Sequence, residues 1–213
     1  MRFAVLYGSH RRERRGIRAA RFIVRQLESR GHDVTLLDSK ELDLPLLDLM
    51  YKEYGPDTAY GAAPPTMQHA HEVLDAADGF VVVGGEYNHS VPPGLKNLLD
   101  HFQSEFFYKP AGIVSYSAGP FGGARVAPHY RAILGELGMV TVSILFSISK
   151  VGAALDEDGN DGTDGKVYER RVERFLNELE WYTQALSRQR ETCPDPMQPC
   201  GDRLAEQVVQ EAD

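Results

Sequence analysis

The feature that most constrains this chain is a repeated alternation of short apolar runs, each stopped by glycine or a polar turn, with helical patterns between them. Arg2 to Tyr7 (RFAVLY) is the first run and stops at Gly8-Ser9; without polar alternate positions it reads as a strand buried on both faces. From Gly16 onward, Ala20, Ile23, Val24 and Leu27 recur at helical spacing until Arg30-Gly31 closes the segment. Asp33 to Asp38, Gly79 to Gly84, Ala111 to Tyr116 and Met139 to Ile144 read as four further strands. Helices are expected from a Thr66 cap to about Ala77, over Pro93 to His101, and over Ala124 to Gly138, where Pro128 delays the regular part. The last, Lys166 to Arg190, carries one apolar stripe through Tyr168, Val172, Phe175, Leu179, Tyr182 and Leu186. Prolines and glycines between residues 45 and 65 break any regular element there.

Strands that alternate with helices imply right-handed crossovers and a parallel sheet covered on both faces. Five strands suit a doubly wound α/β sheet, in which ligands bind beyond the carboxyl ends of the strands, where strand order reverses. Three loops fall at that end: residues 8–16, 85–93 and 116–123.

The chain has 213 residues, enough for a single domain over residues 1–190 followed by a tail at 191–213. No apolar run approaches the roughly 20 residues that cross a bilayer. Phe3 to Tyr7 is too short for a signal peptide, so a cytoplasmic protein without a membrane partner is expected. A net charge of −8 argues against nucleic-acid binding. Cys193 and Cys200 lie in a Pro-rich tail, and two free thiols are expected rather than a disulfide or a metal site. The acidic run from Asp156 to Gly162 resembles a calcium loop but lacks the required carboxylate after its glycine, and His69-x-His71 has the wrong spacing for one helical face.

Against the acidic background, Arg11, Arg12, Arg14, Arg15, Arg18 and Arg21 crowd together. Some belong to a solvated helix face, but the cluster follows a strand and a Gly-Ser turn, where an anion site is expected. Gly8 permits a tight turn, Ser9 offers a hydroxyl, and a helix points its positive end the same way; this suits a phosphate monoester. Neither GxGxxG nor GxxxxGK[ST] is present, which sets dinucleotide and P-loop readings aside. Glu86-Tyr87-Asn88-His89 makes an unusually polar strand-to-helix corner whose backbone can bond the edge of a flat heterocycle. The run from Ser117 to Gly123 is glycine-rich and lets backbone approach a ligand closely.

The pattern Gly8-Ser9-x-Arg11-x-x-Arg14-x-Gly16 resembles the phosphate loop of the NADPH-dependent FMN reductase family, which includes quinone, azo-dye and chromate reductases. The stretch from Glu86 to Asn97 is similar to the family's Pro-x-Tyr-Asn-x-Ser-x-Pro-x-x-Leu-Lys-Asn hallmark, with Gly85 near its start where the family has proline. Gly119, Gly122, Gly123 and Arg125 match a third run, although Gly-Gly before a helix needs no ligand. The resemblance covers about residues 1–150 and implies a flavodoxin-like fold with strand order 2-1-3-4-5. By the same resemblance, Ser9, Arg11 and Arg14, with Gly16, would hold the FMN phosphate. Glu86, Tyr87, Asn88 and His89 would line the isoalloxazine, and Ser117, Gly119 and Gly122 its other edge.

The activity so implied is NAD(P)H-dependent reduction of a small-molecule electron acceptor by ping-pong hydride transfer, in a homodimer or homotetramer without a metal. The flavin would carry the chemistry, with Tyr87 and His89 shaping its open face; His89 serves equally as a surface or capping residue. Arg12 and Arg15 could meet a 2′-phosphate, which leaves NADH against NADPH open. The competing readings are a flavodoxin-type electron carrier, against which the arginine-rich loop argues, and a non-catalytic interaction protein.

Overall fold

The computed structural model describes residues 1–194 and residue 197. Five parallel strands, β1 (Arg2–Tyr7), β2 (Asp33–Asp38), β3 (Gly79–Gly85), β4 (Pro110–Tyr116) and β5 (Val140–Ile148), form one sheet in the order β2-β1-β3-β4-β5. This is the flavodoxin-like doubly wound order that the resemblance implied.

Alternate residues feed two cores. Phe3, Val5, Tyr7, Val81, Val83 and Val114 pack on one face against helices α1 (Ile17–Glu28) and α7 (Val167–Thr192). Ala4, Leu6, Phe80, Val82 and Ile113 pack on the other against α3 (Pro65–Ala76), α4 (Pro93–Asp100) and α5 (Ala127–Glu136). Both faces of β1, β3 and β4 are dry, which is why their sequences are continuous apolar runs.

Several boundaries differ from the sequence expectation. The α3 helix starts at Pro65 with Pro64 at its cap, so Thr66 is a first-turn residue, not the cap. The α5 helix starts at Ala127, within the expected span of Ala124 to Gly138 and with the delay that Pro128 implied: Gly122 and Gly123 hold φ at +62° and +73°, and Pro128 is tolerated only in a first turn. Strand β5 runs four residues past Ile144, because Leu145 to Ile148 continue the ladder with Ile113 to Tyr116. Two four-residue helices, α2 (Ser39–Leu42) and α6 (Val151–Ala154), and a 3-10 turn at Tyr51–Glu53 were not foreseen. Each is too short to leave a periodic signal.

The acidic run is accounted for by its own hydrogen bonds. Asp156 accepts from the backbone of Asp158 and Asn160, while buried Asp161 accepts from Thr163 and from the N–H groups of Tyr168 and Glu169 at the start of α7. His71 bonds Glu105 at 2.8 Å and stacks on Tyr51, a packing role. Among the described residues no cysteine is free. Cys193 is buried and disulfide-bonded, which corrects the expected free thiol; Cys200 and most of the tail lie outside the described residues. No described helix is long and apolar enough to cross a membrane.

Candidate functional site

The carboxyl ends of β1, β3 and β4 open on a cleft of about 370 Å³, beside the point where strand order reverses between β1 and β3. Gly85 and Tyr116, the last residues of β3 and β4, form its floor. The loop after β1 supplies one wall through Ser9, Arg11, Arg14 and Gly16. Glu86 and Tyr87 supply another, and Ser117, Ala118 and Val151 a third.

The loop after β1 has the chemistry of an anion cradle. The backbone N–H groups of His10, Arg11, Arg12 and Glu13 donate to nothing among the described residues. The Arg11 side chain is exposed at the rim and has no ion-pair partner among them either. Helix α1 begins at the same place with Gly16 at its cap and no acidic residue in its first turn, so its positive end is uncompensated. Unspent donors, a guanidinium and a helix N-terminus fit the phosphate of FMN.

Arg14, three residues on, is engaged differently. Its guanidinium pairs with buried Asp38 at the end of β2 and bonds Glu41 at 3.1 Å. It faces the cleft with its charge committed to the protein. Ser9 is buried, and its hydroxyl lies 2.8 Å from the Tyr87 hydroxyl, which ties the first loop to the second. Gly16 is obligatory for space: a Cβ there would overlap the Tyr116 ring. The same ring crowds position 85, where a Cβ on Gly85 would stand 3.0 Å from Tyr116 Cζ.

The corner after β3 is a two-residue turn. Tyr87 and Ser90 exchange backbone hydrogen bonds at 2.9 Å, and Asn88 and His89 between them take φ of 50° and 68°. Asn88 and His89 are therefore exposed at the tip and do not line the cleft, whereas Glu86 and Tyr87 do. The Glu86 carboxylate is held by Arg125, which donates from Nε at 2.7 Å and from its backbone N–H at 3.2 Å. The Ser117 hydroxyl donates to the Gly119 carbonyl and accepts from the Gly122 N–H, each at 2.8 Å. It shapes a loop whose Ser117 and Ala118 line the cleft, whereas Gly119 and Gly122 do not.

Sequence reasoning did not single out Tyr116. Its one signal was shared with Tyr7: each closes an apolar strand immediately before a ligand-side loop. Burial pushes the Tyr116 phenol well above its usual range, and Tyr7 and Tyr87 push it the same way. Burial raises Tyr7 as well, against the lowering effect of its bond to Tyr116. The floor thus offers the neutral Tyr116 hydroxyl and no ionised base. Among the described residues no group of three or more His, Cys, Asp or Glu side chains could hold a metal ion.

A parallel sheet in this order, with an anion cradle opening on its switch point, defines a flavodoxin-like α/β protein. Within that class the chain belongs to the NADPH-dependent FMN reductase family, whose sequence model matches residues 1–153. It is 39% identical over 97 residues to a quinone reductase of Escherichia coli (strain K12), covering 43% of this chain and 48% of that protein. The chain thus spans about half the length of that relative. A quinone reductase of Pseudomonas putida is 30% identical over 167 residues, covering 76% of this chain and 84% of that protein. Among solved structures, the flavoenzyme NAD(P)H:(acceptor) oxidoreductase of Paracoccus denitrificans superposes with a TM-score of 0.67 at 21% identity, over 85% of this chain and 98% of that one. That likeness is one of fold.

Proposed function

We propose that the chain is an FMN-dependent NAD(P)H oxidoreductase that reduces quinones, flavins, azo compounds or similar small acceptors in ping-pong order. One observation carries this reading: Arg11, without an ion-pair partner among the described residues, lines the same cleft as Tyr87 and Tyr116, in a loop where the N–H groups of residues 10–13 donate to nothing among those residues. In this reading Ser9, Arg11 and the backbone of the loop hold the phosphate, and Arg14 and Gly16 keep the loop and α1 in place around it. Glu86, Tyr87 and the backbone of the turn through Asn88 and His89 orient the ring system. Ser117, with Gly119 and Gly122, fixes the loop along its other edge.

FMN held by Ser9, Arg11 and the loop backbone would supply the redox chemistry, a two-electron hydride transfer from NAD(P)H to the acceptor, which would also take up a proton. The protein's part is binding, orientation and exclusion of water. Tyr116 and Gly85 close the cleft from below, leaving one open face for both substrates in turn. Because the buried Tyr116 phenol stays neutral, it adds no charge to the cleft floor. A cytoplasmic homodimer or homotetramer belongs to the same reading, as the family resemblance implies.

The test is the absorbance spectrum of the protein as isolated, followed by titration with NADH and with NADPH under nitrogen. Flavin bands that bleach with either, and return on adding a quinone, are expected. Bands that neither nucleotide bleaches would refute the reductase reading and leave the electron carrier; a colourless protein that takes up no FMN would refute both.

A further inference from the structure

A second recess, of about 480 Å³, adjoins the cleft on the α4 side and shares Arg11 and Tyr87 with it. Its inner walls are Gly8, Pro93 and Gly94, and the His10 ring lies so close over Gly94 that a Cβ there would overlap it. Leu46 closes the outer side and is 86% exposed.

Leu46 is presented by a specific device. The Asn97 side-chain amide donates to the Pro45 carbonyl at 2.8 Å, and its oxygen accepts from the Leu47 N–H at 2.9 Å. The two peptide groups flanking Leu46 are therefore held as a neighbouring strand would hold them. A large apolar side chain fixed in water at the mouth of an apolar recess gains most when a ligand covers it.

We propose that Leu46 is the residue that sets acceptor preference, covering the hydrocarbon part of a flat ring acceptor seated against Tyr87 and Pro93. Such a ring reaches the cleft directly, because the two spaces share Tyr87. The His10 ring lines one end of the recess, where its ring nitrogens can meet an acceptor oxygen. Asn97 is a positioning residue, acting through Leu46. The inference rests on the oxidoreductase reading above and deepens it by assigning what selects the acceptor.

The test uses the flavin-loaded protein with menadione as apolar ring acceptor and ferricyanide as small hydrophilic one. In Leu46→Ala the ratio of kcat/KM for menadione to that for ferricyanide should fall about tenfold, chiefly through KM, since most of one buried leucine side chain is lost. Leu46→Met should restore most of the ratio, and Leu47→Ala, altering a neighbour outside the recess, should not move it. Asn97→Ala should lower the ratio through the menadione KM with kcat retained, which general loss of structure would not do. Calorimetric titration of menadione into the oxidised protein, which needs no turnover, should show the same weakening in Leu46→Ala. Leu46-dependent menadione binding without turnover of either acceptor would sustain the recess and sink the oxidoreductase reading. An unchanged ratio with unchanged menadione affinity would overturn the recess. An unchanged ratio with a smaller sedimenting species in Leu46→Asp would overturn it in favour of a second copy of the chain covering Leu46.

Discussion

Replacing Arg11 and Arg14 by alanine, one at a time, separates two arginines to which sequence gives the same role. Arg11 has no partner among the described residues, so its removal should leave the unliganded fold within about 0.5 kcal/mol of its starting stability. If it makes a charge-assisted hydrogen bond to the FMN phosphate, affinity should fall by about 1.5–3 kcal/mol, or about 10- to 150-fold in Kd. Arg14 is the opposite case. Its side chain is 19% exposed and that of Asp38 only 2%, and Asp38 also accepts the Lys40 N–H that starts α2. Arg14→Ala leaves that carboxylate buried without a counter-charge, a loss of about 3–5 kcal/mol for a fully buried pair. Partial access of water to the Arg14 site places the expectation at the low end, near 3 kcal/mol, or a fall in Tm of roughly 6–12 °C for a chain of this size. Fluorescence titration of FMN into flavin-stripped protein reads the first quantity, and calorimetric melting of the same stripped samples reads the second. An Arg11→Ala protein that binds FMN normally would remove Arg11 from the site. An Arg14→Ala protein with an unchanged melt would show that the Asp38 pair contributes nothing to the fold.

Gly16→Ala should lose about 1–3 kcal/mol by overpacking and weaken FMN binding at once, because the added methyl drives the Tyr116 ring from the cleft floor; normal urea unfolding together with normal FMN affinity would refute the steric account. Lys109 is buried, and its ammonium donates to the Leu74 and Asp75 carbonyls at 2.9 and 2.7 Å. Burial lowers its pKa to about 8 from 10.5. The unfolded chain then binds the extra proton between those values, so this group makes stability rise with pH across that window, by roughly 3 kcal/mol at most. Urea unfolding at pH 7.5 and 9.5 should show the rise in the natural protein and not in Lys109→Met; a rise that survives the substitution would assign it elsewhere.

The fold was legible wherever structure is dictated by burial on both faces. RFAVLY and GFVVVG can hardly be anything but central strands, and the strand-helix alternation then leaves few topologies. The short elements were not legible. Four residues at Ser39–Leu42 or Val151–Ala154 complete no period, and their helical form depends on partners far along the chain, as when Arg18 donates to the Gly152 and Leu155 carbonyls. Cleft residues at strand ends, Ser9, Gly85 and Tyr116, follow from topology. The tip residues Asn88 and His89 looked equivalent to Glu86 and Tyr87 in sequence, but two successive positive φ angles turn them out to solvent.

The arginine cluster shows why charge density along a sequence is a weak guide to an anion site. Of its six members, Arg14 is taken by Asp38 and Glu41, Arg15 by Glu13 at 3.5 Å, and Arg18 and Arg21 by the segment from Gly152 to Glu157. Arg11 and Arg12 alone have no such partner among the described residues, and only Arg11 lines the cleft. The partners of Arg14, Arg18 and Arg21 lie 24 or more residues away, so no local reading could have sorted them. The sorting has a chemical consequence. An arginine already paired presents little net field to a phosphate, whereas an unpaired exposed one attracts it over about a Debye length, roughly 8–10 Å. In the proposed reading, anion affinity at this loop therefore rests on Arg11 and the four backbone N–H groups beside it, with Arg12 adding long-range attraction that salt should screen.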